Sequence, residues 1–176
     1  DAFVSKQDEL DEQEWNETLE LVKTACTELQ NFRKQEGQSI EEDFKNRIAG
    51  IRKNLSGVEA LLDERKSAVA KRLNESLKNL KSELADPNRF EQELIYYLEK
   101  LDISEEQVRL KNHLQYFEAV MAEEENSGRK LGFICQEIGR EINTMGSKAN
   151  HAEIQRLVVL MKDDLEKIKE QVLNVL

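Results

Sequence analysis

A chain of 176 residues that is 39% hydrophobic, 35% charged and only 6% aromatic can build one sizeable domain, but it lacks the material for a thick β-sandwich or barrel core. One proline, Pro87, and seven glycines leave few places to interrupt long helices. The formal charge of -10 argues against a polyanionic partner for the chain as a whole. Only residues 39–85, with ten basic against eight acidic side chains, are net positive; residues 1–38 have four against ten and residues 86–176 twelve against eighteen.

Trp15, Leu19, Val22, Cys26, Leu29 and Phe32 recur in three- and four-residue steps, which predicts an amphipathic helix ending near Gly37. Ser39 and Glu42 of "SIEE" have capping-box spacing and predict the start of a second helix. From Phe44 its apolar positions run 44, 48, 51, 55, 58 and 62 in heptad register, then 69, 73, 77, 80 and 84, and nothing stops it before "ADPN". A rod from Ile40 to Ala85 would be roughly 70 Å long. Its stripe calls for cover, either by the first helix folded back or by another subunit.

Beyond Pro87, "NRFEQELIYYLEKL" predicts a short helix, and Asp102 with Glu105 has the spacing of a cap for another from Ser104 to about Ala122, burying Leu110, Leu114, Phe117 and Met121. A helix through the stretch "GRKLGFICQEIGREINTMGSK" and a last one from about His151 to Val175 complete the chain. No segment has the two-residue period of a strand, and no repeat or phosphate-binding glycine loop occurs. The expected fold is all-α, with long antiparallel helices: a coiled-coil-like oligomerisation segment over 1–87 and a smaller helical bundle over 88–176. Cys26 and Cys135 fall on apolar faces and read as small buried hydrophobes, which fits a reducing, cytoplasmic setting. No apolar run approaches the roughly 20 residues that span a bilayer, the opening residues lack the pattern of a signal peptide, and with no initiator Met the chain is expected to be a fragment.

The stretch from Gly128 carries the chemistry. On a helical wheel Leu131, Ile134, Cys135, Ile138, Ile142 and Met145 form an arc of about 100°, with Gln136, Glu137, Arg140, Glu141, Asn143 and Thr144 on the other side. Glu137 and Glu141 stand at i and i+4 with Arg140 beside both, a spacing that by itself reads first as salt bridges on a solvated face and only second as carboxylates for a divalent cation. Gly146 is expected to end this helix and Asn150 with Glu153 to cap the next, leaving Ser147 and Lys148 at a corner where helix-terminal amides favour phosphate. The polar set together suits a phosphodiester site.

"GRKLGFICQEIGREINTMGSKAN" resembles the motif of the YicC family of bacterial endoribonucleases: GR-x-L-D-F, two residues, QE, two residues, RE-x-NT, two residues, Ser-Lys. Gly128, Arg129, Leu131, Phe133, Gln136, Glu137, Arg140, Glu141, Asn143, Thr144, Ser147 and Lys148 match it. Further marks follow the family order: Glu14-Trp15, Arg33 to Gly37, "RFEQE" from Arg89, "DISEE" from Asp102, "RL-x-x-H" from Arg109 to His113, and "IKEQVLNV". Gly132 departs from the family's Asp, as does His151. The resemblance covers the helical C-terminal portion; family proteins carry an N-terminal half that this sequence lacks.

The resemblance implies RNA cleavage supported by a divalent metal, Mg or Mn, in an oligomer, a hexamer in particular, with neither DNA nor membrane as partner. On this reading Glu137 and Glu141 are expected to hold the metal, Arg140 and Lys148 to stabilise charge, and Asn143 or Ser147 to position water or phosphate; RNA contacts are expected at Arg129, Lys130 and Ser147 and, from the local clustering of basic residues, at Arg52 and Lys53. His113 is a candidate acid or base, or else a packing residue beside Leu110, Leu114 and Phe117. His151 reads as a solvated side chain. Attack by the RNA 2'-hydroxyl with His113 as base is a second chemistry on the same residues, and a non-catalytic helical scaffold or RNA-decay adaptor is the competing function.

Overall fold

The computed structural model describes residues 11–80, 92, 95, 96, 99–123 and 128–175; within 63–80, side chains are described at Ser67, Lys71 and Glu75 only. Four helices account for nearly all of it: α1 (Glu12–Leu80), α2 (Ser104–Met121), α3 (Gly128–Lys148) and α4 (Ala152–Val172), with no strand among the described residues. The expected all-α fold is what forms. Packing divides the described chain into two units after Ile40. The domain boundary expected near residue 87 lies outside the described residues.

The break expected at Gly37 does not occur. α1 runs through Gly37 and through Ser39–Glu42 without interruption, so the backbone amides that a capping box would satisfy are bonded within the helix. Gly37 needs no left-handed conformation there, and a Cβ built on it meets nothing within 4 Å. Glycine inside a helix costs about 0.5–1 kcal/mol relative to alanine. Gly37→Ala is therefore expected to slow amide hydrogen exchange over residues 34–40 by about two- to five-fold, the same free energy read as a rate.

In the first unit the predicted stripe is present but uncovered: Trp15, Leu19, Val22, Leu29 and Phe32 are all exposed, and so is Cys26, contrary to its expected burial. Cys135 is buried as expected, and burial pushes its thiol up to about 12. Since the thiolate is the reactive form, brief treatment of the folded protein with iodoacetamide at neutral pH is expected to modify Cys26 and spare Cys135, as read by peptide mass.

In the second unit the heptad positions Phe44, Ile48, Ile51, Leu55 and Val58 are buried, with Leu62 half-buried. Their cover is the chain's own C-terminal helices, a partner that a one-helix pattern does not reveal. The Phe44 and Phe117 rings meet edge to face with centroids 5.6 Å apart, a geometry worth about 0.5–1.5 kcal/mol beyond area burial. Arg52 reaches Glu118 at 2.9 Å, and Glu59 pairs with Lys111. On its other flank Arg47 reaches Asp164 at 3.3 Å, and Gly57 lies against Leu157. Residues 41–62, α2, α3 and α4 thus form an up-down-up-down four-helix bundle. Its core adds Leu110, Leu114, Phe117 and Val120 from α2, Leu131 to Met145 of the predicted arc from α3, and Ile154, Val158, Met161, Leu165 and Ile168 from α4. Val120, one residue from the expected Met121, fills the last core position of α2.

Candidate functional site

α2 starts without a side-chain cap on Ile103; Asp102 serves one residue earlier, accepting from Ser104 N at 3.1 Å and from Ser104 Oγ at 2.6 Å. This turn sets Glu106, Arg109 and His113 in one row, since steps of three and four residues stay on one helix face. On α3 the same steps join Glu137, Glu141, Thr144 and Lys148. The two helices run antiparallel, and three contacts fix their register. Lys148 Nζ donates to Glu106 Oε1 at 2.7 Å, Arg109 stands 3.9 Å from Glu141, and Lys130 Nζ lies 5.3 Å from the Tyr116 ring centre. That register puts His113 level with Glu137.

Glu141 was expected on the solvated side of α3, yet it is buried, 7% exposed. The helical wheel fails because α2 covers the edge of the apolar arc and supplies Arg109 as a counter-charge. Glu106 and Gln107, also 7% exposed, were not singled out by the sequence, and neither was Arg109. Their signal was available in the marks "DISEE" and "RL-x-x-H", where polar residues recur at 106, 109 and 113 on the flank of the apolar positions. Glu106 Oε2 and Gln107 Nε2 are buried without a hydrogen-bonding partner among the described residues, an expensive arrangement that marks a polar seam rather than a dry interface.

The other candidates fall in different places. Arg140 pairs with Glu137 at 2.9 Å on the open side of α3, and Asn143 is exposed beside it. Thr144 Oγ1 donates to the Arg140 carbonyl and Ser147 Oγ to that of Thr144, so both hydroxyls are engaged with their own helix. Arg129 and Lys130 lie at the opposite end of α3 from Lys148, roughly 28 Å away at 1.5 Å per residue. The hydrogen bond to Glu123, with a further one to Tyr116, holds the Lys130 pKa above its ordinary value. Arg52 is tied to Glu118 and Lys53 is exposed, both on α1. By contact the seam holds Glu141 and Lys148; the register sets His113 level with Glu137, whose carboxylate is paired with Arg140, and Arg129, Lys130, Arg52 and Lys53 lie apart from it.

The corner after the motif differs from its expected form. α3 continues through Gly146 to Lys148, because Gly146 serves close approach rather than termination: a Cβ there would stand 3.0 Å from Val158 of α4. His151, not Asn150, caps α4, its Nδ1 accepting from Ile154 N at 3.4 Å, so its ring occupies the helix end instead of standing free in solvent. Gln155 Nε2 donates to the carbonyls of Ala149, at 2.8 Å, and Gly146, closing the turn.

A protein-only metal cage does not assemble here: among the described residues no three His, Cys, Asp or Glu side chains gather as ligands. A magnesium-like ion needs less, one or two carboxylates with waters and substrate phosphate oxygens completing the shell. Glu137 and Glu141, two carboxylates one turn apart on α3, supply that minimal donor set. No helix among the described residues is long and apolar enough to cross a membrane.

The profile of the family described as "Endoribonuclease YicC-like, C-terminal" matches residues 58–176. A Clostridioides difficile (strain 630) protein named probable endoribonuclease YicC is 31% identical over 176 residues, covering 98% of this chain. A Haemophilus influenzae (strain ATCC 51907 / DSM 11121 / KW20 / Rd) protein of the same name is 31% identical over 152 residues, covering 84% of it. The chain spans only 59% and 51% of the lengths of these two relatives. The matched segment takes in all of α2, α3 and α4, and hence the whole seam: the chain belongs to the YicC-like endoribonuclease family, of which it carries the C-terminal domain.

Proposed function

We propose that this chain is the C-terminal part of an endoribonuclease, with the α2–α3 seam as its reaction site and RNA as its substrate. One observation carries the reading: two buried carboxylates, Glu106 and Glu141, share a seam with Arg109 and Lys148, and the register brings His113 level with Glu137. Such charge at a helix–helix seam is costly to bury, and packing alone does not call for it.

Glu137 and Glu141 would hold a divalent cation, Mg or Mn, which when bound supplies Lewis acidity and a more acidic water. Lys148 and Arg140 neutralise the negative charge that grows on the phosphoryl oxygens as the bond to phosphorus forms. Asn143 and Ser147, on the outer edge, hydrogen-bond water or phosphate. His113 takes the proton from the attacking oxygen or returns one to the leaving oxygen. Glu106 and Arg109 fix Lys148 and Glu141, respectively. Arg129 and Lys130, a helix length away, contact the RNA backbone several nucleotides off.

The test incubates the full-length protein with an end-labelled structured RNA, with and without chelator, and identifies the product termini. Chelator-sensitive cleavage leaving 5'-phosphates is expected. Cleavage that survives chelation and leaves 2',3'-cyclic phosphates would replace this mechanism with attack by the 2'-hydroxyl. RNA binding without any cleavage would leave a scaffold or adaptor.

A further inference from the structure

The exposed residues of α3 are Arg129, Phe133, Gln136, Arg140, Asn143 and Ser147, which follow one another in steps of four and three and so form a single outward stripe. It contains no carboxylate. The exposed residues of every other helix include at least one: Glu41 in α1, Glu105 in α2 and Asp163 in α4. In a chain with 36 acidic side chains against 26 basic ones, the stripe is a local reversal of sign. Glu137, on its flank, is paired with Arg140 at 2.9 Å. Phe133 is the one apolar member, 59% exposed, and every other residue of the stripe carries a hydrogen-bond donor. A ring set among cations and donors is the composition of a surface for single-stranded nucleic acid, where each base offers a π-face and the backbone carries the charge. The other exposed aromatic side chain described in the bundle, Tyr116, has Lys130 5.3 Å from its ring centre, so one of its faces is already covered.

We propose that Phe133 is a stacking platform for one unpaired base of the RNA, close to the phosphate at which the reaction occurs. The inference rests on the reaction site proposed above and adds a substrate class to it: the strand has to be single at this point, because a paired and stacked base has no free face to offer. Helix geometry gives the placement. Phe133 lies one turn, about 6 Å along the axis, from both Arg129 and Glu137, and two turns, about 10 Å, from Arg140. The two arginines, on opposite sides of the ring, hold backbone phosphates before and after the stacked nucleotide. Gln136, next along the stripe, offers the edge of the base both a donor and an acceptor. One ring is too little apolar surface to anchor another helix, which needs a row of such side chains, but it is enough for one base.

The experiment uses the full-length protein and single-stranded RNA oligonucleotides that carry the fluorescent adenine analogue 2-aminopurine at successive positions, mixed by stopped flow so that stacking is read before products accumulate. Quenching at one or two adjacent positions is expected. Phe133→Leu should abolish that quench and weaken binding by about 5- to 100-fold with the salt slope unchanged, and Phe133→Trp should preserve both signal and affinity. Arg129→Gln should keep the quench and make the salt slope shallower by about 0.7. Leucine binding and quenching as well as phenylalanine would overturn the platform. So would a duplex of the same sequence bound as tightly as the single strand. A silent Phe133→Leu beside a Phe133→Trp that lowers thermal stability would overturn it too, since Phe133 then packs beneath another part of the protein or a second copy. Quenching at a defined position without any cleavage would remove the reaction site proposed above and leave the platform standing.

Discussion

In the full-length protein, Glu141→Gln is expected to lower the rate of RNA cleavage by on the order of 100-fold or more while leaving RNA affinity largely intact. Glu137→Gln is expected to do the same. Each change removes a negatively charged donor to the cation and preserves shape, and neither removes a positive charge that attracts the RNA backbone. The fold should tolerate both. Arg109 keeps its pairing with Glu105 when Glu141 is neutral, and Glu137 is a part-exposed partner of Arg140. Single-turnover cleavage and a binding titration on the same RNA separate the outcomes. Parallel loss in both assays would assign the carboxylates to salt bridges that hold the surface together, and unchanged cleavage would remove the seam from consideration.

Lys148→Met is expected to cost stability as well as activity. Glu106 keeps only 9% of its side-chain surface exposed, and without Lys148 its carboxylate loses the cation 2.7 Å away. Breaking a fully buried pair costs about 3–5 kcal/mol; Lys148 is 32% exposed, so solvent screens the pair and about 1–3 kcal/mol is the expected loss in urea unfolding. Adding Glu106→Gln removes the stranded charge and should recover half or more of that loss, the coupling that a double-mutant cycle reads. Cleavage should stay lost in the double variant if the ammonium faces the phosphate. Recovery of cleavage together with stability would make Lys148 a structural residue only.

The contrast between α3 and its neighbours shows where the sequence speaks for the structure. The apolar arc from Leu131 to Met145 was legible because a single helix burying one stripe leaves its whole signature in its own spacing, and all six arc residues are buried. Glu141 was misread because its burial depends on Glu106, Arg109 and the first turn of α2, which a wheel drawn for α3 does not contain. Phe44 to Val58 announced a stripe but not its cover, since a heptad records that a helix has a partner without recording which. Gly37 and Gly146 both suggested ends. One is carried within a helix that continues on both sides, and the other lets Val158 of α4 pack close against α3, so the same residue type answered two different demands. His151 caps α4 with a ring nitrogen, outside the Ser, Thr, Asp and Asn set from which the cap was read.

The ion pairs that tie residues 41–62 to the rest of the bundle join distant parts of the sequence: Arg47 and Asp164 are 117 positions apart, and Arg52 and Glu118 are 66. The Lys148–Glu106 bond that locks the seam spans only 42. Closing a longer loop costs more entropy before any contact rewards it. Loop-closure entropy alone predicts that α2, α3 and α4 zip together as neighbouring hairpins and that residues 41–62 dock onto them afterwards, an order that pulsed hydrogen exchange would read. On that order the site is built by the early, local half of folding, and the late step seals the bundle without having to create the chemistry.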